Sequence, residues 1–205
     1  MGVYAKYVLP RLIDLAMRSA DTSQLRATSI PQAHGEVLEV GIGSGLNLPF
    51  YTAAVSHIFG LDPSIELQQM ARKRATAVPG KITFVSQSAE QPIPLVNASI
   101  DTVVSTWTLC SIPNVSAALQ EMKRVLKATG RFIFIEHGCS ADPGVALWQN
   151  RLTPSWRYVT GGCHLNRKID DLIRGAGFQI MEIKAFYLPG PRPMTYTYQG
   201  IASLA

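Results

Sequence analysis

The sequence lacks several features that would identify broad classes of protein. Its 205 residues include three cysteines, an odd number without Cys-x-x-Cys spacing, and its four histidines are scattered. This composition excludes a scaffold held together by disulfides and a zinc site built on cysteine pairs, so we expect no bound metal. The sequence also has no secretory signal. We therefore expect a reduced, cytoplasmic protein.

Long apolar runs and basic runs are also missing. No apolar stretch approaches the ~20 residues needed to span a bilayer, so we expect no transmembrane segment. The formal net charge is +5, but no run of Lys and Arg accompanies it, and we do not expect a nucleic-acid partner. Residues 4–18 have apolar residues at helical spacing, which also permits weak contact with a membrane surface. The sequence gives no indication of the oligomeric state.

What the sequence does contain is an alternation of strand and helix patterns, within a length that suits a single domain over residues 1–205. The predicted strands are 37–42, 57–62, 81–88, 99–107 and 131–138, and the predicted helices are 4–18 (one or two short ones), 46–56, 64–77, 114–130 and 169–177. Two further strands, 178–187 and 194–202, are joined by a loop too short for a helical crossover, which predicts an antiparallel hairpin. Together these patterns predict an α/β fold, a Rossmann-like seven-stranded mostly parallel sheet with an antiparallel C-terminal hairpin and helices on both faces.

Two segments depart from this alternation. Residues 22–35 are polar, and we predict a loop there. Residues 139–168 show no clear period, and we predict a long irregular insert between the fifth strand and the next helix. Long irregular inserts in compact domains are usually functional.

The stretch VLEVGIGSGLNLPFY, residues 37–51, carries the strongest local signal. An apolar strand ends in Gly41, Gly43 and Gly45, with Glu39 two positions before the first glycine. Glycines between a strand and a helix permit a tight turn and the close approach of a ligand. Asp62 ends the next strand about 20 residues further on, where such folds bind ribose hydroxyls.

The acid in this turn separates two classes of nucleotide ligand. A dinucleotide fingerprint requires a glycine where this sequence has Leu46, and the carboxylate of Glu39 would repel a pyrophosphate. The same carboxylate suits the ammonium and sulfonium cations of S-adenosylmethionine. A nicotinamide-dependent oxidoreductase and a binding protein without chemistry stay open as alternatives at this point.

Several motifs resemble one known family. Residues 37–45 resemble motif I of class I S-adenosylmethionine-dependent methyltransferases, residues 60–64 (GLDPS) resemble the second motif, and residues 86–114 resemble the stretch that contacts adenine. The stretches GIGSGLNLPFY, TLCSI, IEHG and GGCHLNR are similar to small thiol methyltransferases related to the animal membrane-associated alkyl-thiol methyltransferases. The resemblance implies a small thiol or sulfide as the methyl acceptor. Quinone and phospholipid methyltransferases share the core motifs and are the alternative.

The resemblance and the positions along the chain together indicate which residues bind S-adenosylmethionine. These are Glu39, Gly41, Gly43, Gly45, Asp62, Pro63, Ser88, Ala89 and Thr106. The chain departs from the family at Ser88, where an acid commonly contacts the adenine amino group. We therefore expect weaker adenine recognition there.

On the acceptor side, His137 and Trp107 are the predicted catalytic residues. His137 follows the fifth strand and is the candidate base, while Trp107 ends the fourth strand and could attract the sulfonium through its ring face. We expect Cys110 to pack as a small apolar residue. An N-terminal helical cap (residues 1–35) and the acceptor-side insert (residues 139–168) are predicted to cover the pocket, with Tyr7, Trp148, Arg151, Trp156, Cys163 and His164 as its lining residues.

Overall fold

The structure, a computed structural model, describes residues 4–76 and 81–205. Within these two ranges, seven strands form one sheet in the order β3-β2-β1-β4-β5-β7-β6. The strands are β1 (Gly35–Val40), β2 (Val55–Leu61), β3 (Lys81–Val85), β4 (Ile100–Thr106), β5 (Leu126–His137), β6 (Phe178–Tyr187) and β7 (Tyr196–Leu204). Strands β1 to β5 pair in parallel, and β7 is antiparallel to both β5 and β6. The predicted fold class is confirmed, including the C-terminal hairpin.

In the part of the chain that is described, seven helices flank this sheet. They are α1 (Leu9–Ala16), α2 (Ala20–Ser29), α3 (Ile65–Ala75), α4 (Val115–Val125), α5 (Pro143–Val159), α6 (Ile169–Gly175) and α7 (Arg192–Thr195). A π-helical turn (Tyr4–Val8) precedes α1, and short 3-10 turns lie at Ile30–Gln32 and Leu48–Phe50. No helix within residues 4–76 and 81–205 is long and apolar enough to cross a bilayer.

The sheet separates two apolar clusters. Consecutive residues of β1 alternate between them, because successive side chains of a strand point to opposite faces. Leu38 packs with residues of α4 and α6, whereas Val37 packs with Ile30 and Leu48. Because β1 to β5 run in parallel, their carboxyl ends lie at one edge of the sheet, and the residues that follow β1, β2, β4 and β5 meet there.

The helix predicted over residues 46–56 was wrong. The structure has only the 3-10 turn Leu48–Phe50 there. Pro49 removes a backbone donor, and the flanking side chains of Asn47 and Tyr51 turn inward to bond Glu39. The segment thus forms the wall of a site instead of a crossover helix.

The loop predicted over residues 22–35 was also wrong in its first half. Helix α2 occupies Ala20–Ser29, and the Ser19 hydroxyl caps it by accepting from the Thr22 amide at 3.2 Å. The helix was missed because its sequence is polar, and three of the side chains that it buries are Thr22, Arg26 and Ser29. Polar burial gives no apolar periodicity.

The irregular insert predicted over residues 139–168 contains the longest helix described, α5. Asp142 caps it by accepting from the amides of Gly144 and Val145 at 2.9 and 3.3 Å, and Pro143 occupies the first turn. Pro154 in its interior obscured the helical pattern. The helix predicted over 114–130 ends earlier, at Val125, and the next residue begins β5 by pairing with β4. Ala77, the predicted end of α3, lies outside the described residues.

Candidate functional site

The glycine loop follows β1 at the carboxyl edge of the sheet. Gly41, Gly43 and Gly45 have φ values of +74°, +52° and +80°, a region that favours glycine. A Cβ on Gly41 would lie 2.0 Å from the Thr108 hydroxyl oxygen, so this position admits no side chain. A Cβ on Gly43 would find only the Gly41 carbonyl oxygen within 4 Å, at 3.8 Å. The backbone at Gly43 therefore faces open space that a ligand can enter.

Asp62 is fixed beside this loop. Its Oδ2 accepts a hydrogen bond from the Gly43 amide at 2.9 Å, and its Oδ1 accepts one from the Ser64 amide at 2.8 Å. Burial raises the pKa of Asp62, and these two hydrogen bonds oppose that shift. A carboxylate has about four lone-pair sites, so acceptor capacity is left for the hydroxyls of a ribose. Pro63, next in the chain, is exposed.

Glu39 lies under the loop with 1% of its surface exposed. Its two carboxylate oxygens accept from the Asn47 amide at 2.9 Å and from the Tyr51 hydroxyl at 2.8 Å. Burial raises the pKa of Glu39 to about 7, although both hydrogen bonds and the charge of Arg26 oppose the rise. The group is thus poised to change its charge near neutral pH, and a bound cation would favour its ionised form.

Arg26, a residue that the sequence analysis missed, joins α2 to this site. Its Nε donates to Asn47 Oδ1 at 3.0 Å, and its Nη1 donates to the Met17 carbonyl at 2.8 Å. Burial lowers the pKa of Arg26 to about 10, and the Glu39 carboxylate opposes that shift. Asn47 also donates to the Thr106 hydroxyl at 3.0 Å, so one amide links β1, α2 and β4. Asn47 could have been found from the sequence because it lies in the glycine motif. Nothing in the polar sequence of α2 indicated a role for Arg26.

Trp107 has an unusual backbone at the end of β4. Its φ is +49°, and its amide donates to the Ile135 carbonyl at 2.7 Å. The Arg26 guanidinium lies 4.8 Å from the centroid of its ring, so one aromatic face already has a cation over it. The predicted contact between Trp107 and a sulfonium stays a prediction.

Ser88 and Ala89 lie between β3 and β4. The Ser88 hydroxyl donates to Glu90 Oε2 at 2.9 Å and accepts from the Glu90 amide at 3.3 Å. Ala89 is 5% exposed. The remaining lone pair of Ser88 is compatible with a bond from an adenine amino group. The adenine contact of both residues stays a prediction.

His137 ends β5 at the same edge of the sheet and is 6% exposed. Its Nδ1 lies 3.6 Å from the Cys163 sulfur. Its Nε2 is buried and has no hydrogen-bond partner in the part of the chain that the structure describes. Cys110 packs as predicted at 2% exposure, and its sulfur lies 3.5 Å from that of Cys163. The structure therefore brings His137, Cys163 and Cys110 into one cluster.

Glu136, which the sequence analysis also missed, organises the loop after β4. It is fully buried, and its Oε1 accepts from the Ser105 hydroxyl at 2.7 Å and from the amides of Leu109 and Thr108 at 3.0 and 3.1 Å. Its Oε2 lies 3.4 Å from the Cys110 amide. Burial raises the pKa of Glu136 to about 7 against these four hydrogen bonds. The sequence signal that could have identified Glu136 is its position as an acid inside the apolar run IFIEHG.

The segment after α5 crosses this loop. The His164 amide and its Nδ1 both donate to the Cys110 carbonyl, at 2.8 and 3.0 Å. Arg167 donates to the carbonyls of Leu109 and Pro113. His164 therefore holds the backbone of Cys110, and burial lowers its pKa.

The other predicted pocket residues differ in exposure. Trp156 is half-buried, and its hydrogen bond is among the contacts that lower the pKa of Cys163. Tyr7 is 52% exposed, and Trp148 is 54% exposed with Arg151 over its ring. The structure thus groups Trp156 with Cys163, while Tyr7, Trp148 and Arg151 lie at the surface. Their place in an acceptor pocket stays a prediction.

Helix α1 is tied to the glycine loop. Its buried Asp14 pairs with Arg18 and with Arg74 of α3, whose Nη2 lies 2.8 Å from Asp14 Oδ1. Arg74 also donates to the Ser44 carbonyl within the loop. At the other end, the Tyr4 hydroxyl donates to the Val159 carbonyl of α5 at 2.7 Å. The N-terminal helices therefore contact both the cofactor side and the insert.

The site fits a nucleoside that carries a cationic substituent. Asp62 offers acceptors for ribose hydroxyls, Gly43 leaves space for close approach, and Glu39 supplies a negative charge. A family model described as a methyltransferase domain matches residues 38–134. A solved structure of a putative methyltransferase from Bacillus halodurans shares the fold with a TM-score of 0.68 at 17% identity, covering 90% of this chain and 96% of that one. Together with the relatives described next, the family model shows a methyltransferase that uses S-adenosylmethionine as its cofactor.

More specific similarity comes from mammalian proteins. A Mus musculus protein, thiol S-methyltransferase TMT1B, is 31% identical over 175 residues, covering 82% of this chain and 69% of that protein. Its Rattus norvegicus counterpart is 33% identical over 161 residues, 76% of this chain, which thus spans 64% of the rat protein. The chain belongs to the methyltransferase family that includes these thiol S-methyltransferases.

Shorter matches reach methyltransferases with other acceptors. The ubiquinone/menaquinone biosynthesis C-methyltransferase UbiE of Rubrivivax gelatinosus is 32% identical over 54% of this chain and 43% of that protein. A phosphatidylethanolamine N-methyltransferase of Cereibacter sphaeroides is 30% identical over 50% of this chain and 51% of that protein. The matches to the mouse and rat thiol enzymes cover more of this chain than these two matches do.

Proposed function

We propose that this chain transfers the methyl group of S-adenosylmethionine to the sulfur of a small thiol or sulfide. The observation that carries this proposal is the buried Nε2 of His137, which has no hydrogen-bond partner within residues 4–76 and 81–205. A buried polar nitrogen without a partner is unfavourable, and a protonated acceptor would satisfy it. Identity of 31–33% to the mouse and rat thiol S-methyltransferases supports the same acceptor class.

The donor side is assigned to the residues around the glycine loop. S-adenosylmethionine supplies a methyl carbon made electrophilic by its bond to a positively charged sulfur. Asp62 accepts from the ribose hydroxyls, while Glu39 attracts the cationic end across the backbone at Gly43. Ser88 and Ala89 border the adenine. Thr106, held by Asn47, fixes the end of β4 on the side where methyl transfer takes place.

His137 removes the proton of the acceptor. A thiol of pKa about 8.5 is only a few per cent thiolate at neutral pH, so a weak base suffices to raise the reactive fraction. When Nδ1 carries the ring proton and directs it at Cys163, Nε2 has the free lone pair that accepts the thiol proton. A thiol acceptor leaves the site as a thioether, and sulfide leaves as methanethiol. S-adenosylhomocysteine is the leaving group, and the proton is released from His137.

Transfer to a quinone or phospholipid is the second candidate. The two shorter matches to enzymes with those acceptors support it, since the donor-side residues would serve either reaction. A quinone ring carbon or a phospholipid amine needs more help from a general base than a thiol does. Parallel acceptor assays therefore separate the two candidates.

The test measures S-adenosylhomocysteine release by the purified protein. Sulfide, methanethiol, a longer alkyl thiol, a short-chain quinone and phosphatidylethanolamine vesicles serve as parallel acceptors. Release with the sulfur acceptors alone supports the proposal, and release with only the quinone or the vesicles overturns it. We expect His137→Gln to lower kcat for the thiol by about 100-fold. His57→Gln, near the amino end of β2 and bonded to Thr83, is the matched control and should retain wild-type activity.

A further inference from the structure

Two cysteines from distant parts of the chain lie in contact beside His137. Cys110 belongs to the loop after β4, and Cys163 follows α5, 53 positions further along the chain. Their sulfur atoms are 3.5 Å apart, and all three cysteines are free thiols. A disulfide requires about 2.05 Å between sulfurs, so the pair needs only a small approach to join.

The surrounding backbone holds both cysteines in this arrangement. The carbonyl of Cys110 accepts two hydrogen bonds from His164, the residue that follows Cys163. On its other side, the Cys110 amide faces the buried carboxylate of Glu136 at 3.4 Å. The two chain segments are therefore fastened to each other directly beside the sulfurs.

The two thiols have different environments. The hydrogen bond between the two sulfurs, together with His137 and Trp156, lowers the pKa of Cys163. The same hydrogen bond and the burial of Cys110 raise the pKa of Cys110. Cys163 is half-buried, while Cys110 is fully buried. Cys163 is therefore the more accessible of the two residues and has the more acidic thiol.

We propose that Cys163 and Cys110 form a dithiol site that reduces a small organic disulfide, with Cys163 as the attacking sulfur and Cys110 as the resolving sulfur. This reaction goes beyond methyl transfer and does not depend on it. The Cys163 thiolate attacks one sulfur of the disulfide RS–SR, forming a mixed disulfide and releasing RS⁻. Cys110 then attacks the Cys163 sulfur, and its proton leaves with the second R group as RSH. Two electrons pass from the protein dithiol to RS–SR, which becomes two thiols.

Cys139 provides a matched control within the chain. It is half-exposed, its sulfur lies 3.7 Å from the Ser140 carbonyl, and burial raises its pKa. Its sulfur makes no hydrogen bond to His137 or to another cysteine among the described residues. Cys139 and Cys163 are similarly exposed, so exposure alone predicts equal reactivity. A faster reaction at Cys163 would therefore result from its contacts with Cys110 and His137.

The experiment treats the reduced protein with bis(2-hydroxyethyl) disulfide in the absence of S-adenosylmethionine. Remaining thiols are blocked with iodoacetamide, and peptides are mapped by mass spectrometry without reduction. We expect a Cys110–Cys163 disulfide with Cys139 blocked, and a reaction at Cys163 at least about tenfold faster than at Cys139 at pH 7. A mixed disulfide that persists on Cys163, or probe taken up at Cys139 equally fast, overturns the proposal.

Variants then assign the two roles. Cys110→Ser should stop at the mixed disulfide on Cys163 and release one thiol in place of two, while Cys163→Ser should lose the fast reaction. Cys139→Ser should behave as the wild type. Fast reaction in Cys163→Ser contradicts the proposal, and the peptide map of the wild type decides the question even where a cysteine variant fails to fold. A failure of methyl transfer would leave this outcome unchanged, because the assay contains no methyl donor.

Discussion

The guanidinium of Arg26 lies over the ring of Trp107, 4.8 Å from its centroid. This contact joins α2, which precedes the sheet, to the residue that follows β4. The same arginine bonds Asn47, which in turn bonds both Glu39 and Thr106. One buried cation thus organises the wall beneath the glycine loop.

Arg26→Ala should destabilise the protein and weaken cofactor binding. It removes hydrogen bonds from a charged donor and leaves Glu39 buried with less compensation, at a cost of about 2–3 kcal/mol in free energy of unfolding. Arg26→Lys keeps the charge but loses the planar fork, so we expect an intermediate loss. Urea unfolding measures both, with the exposed Arg11→Ala as control. Equal stability of Arg26→Ala and the wild type would contradict this role.

Alanine at two glycines of the same loop should have different consequences. Gly43→Ala places its Cβ in open space, so only the strained φ of +52° lowers stability, by about 1–2 kcal/mol, while cofactor binding falls sharply. Gly41→Ala drives its Cβ into Thr108 and should destabilise the fold by more. Thermal unfolding and calorimetric titration with S-adenosylhomocysteine separate the two effects. If Gly43→Ala binds the ligand as the wild type does, the space beside Gly43 is not the cofactor site.

Cofactor affinity should increase with pH through the ionisation of Glu39. Burial raises the pKa of Glu39 to about 7 in the folded chain, so the carboxyl is mostly neutral at pH 5.5 and mostly ionised at pH 7.5. A cationic ligand binds the ionised form better, and we expect affinity for S-adenosylmethionine to rise about tenfold over this range. Glu39→Gln should bind weakly with no such rise, whereas Glu36→Gln should follow the wild type. Equal wild-type affinity at both pH values would refute the assignment.

Replacement of Glu136 should reveal its role in holding the loop after β4. Glu136→Ala leaves several buried amides without an acceptor and should lower the free energy of unfolding by at least about 3 kcal/mol. Glu136→Gln retains an oxygen for the same donors and should be far milder. The folded pKa of about 7 exceeds the ordinary 4.5, so the contribution of Glu136 to stability falls as pH rises between those values.

Urea unfolding at pH 5 and pH 7 tests this sign. The stability of Glu136→Gln relative to the wild type should be greater at pH 7 than at pH 5. A wild-type advantage that grows with pH would contradict it.

The sheet was predictable because its strands are continuous apolar runs separated by turn residues. Val37, Leu38 and Val40 are buried on both faces, so the run alone marks a strand in a covered parallel sheet. The glycine loop was predictable from its spacing, because closely spaced positive φ values favour glycine.

Helices with buried polar residues were not predictable in this way. Helix α2 directs Thr22 and Arg26 into the protein, so its apolar pattern is absent, and α5 contains Pro154. The start of α5 does have a signal in the sequence, because Asp142 followed by Pro143 is a common helix start.

The candidate site was only partly predictable, for a related reason. The sequence marked Glu39, Asp62 and His137 by their places near the ends of apolar strands. Arg26 and Glu136 act through contacts between segments distant in sequence. The approach of Cys110 to Cys163 likewise depends on how the segment after α5 crosses the loop after β4. Spacing along a single chain carries no information on such crossings.

The central claim is methyl transfer to sulfur, and direct detection of the product tests it most closely. The protein would be incubated with an alkyl thiol and S-adenosylmethionine that carries a deuterated methyl group, and the products identified by mass spectrometry. We predict a deuterated methyl thioether in an amount equal to the S-adenosylhomocysteine formed, reduced about 100-fold in His137→Gln. No deuterated thioether from any thiol, with the label found instead in a quinone or phospholipid supplied in parallel, would contradict the account.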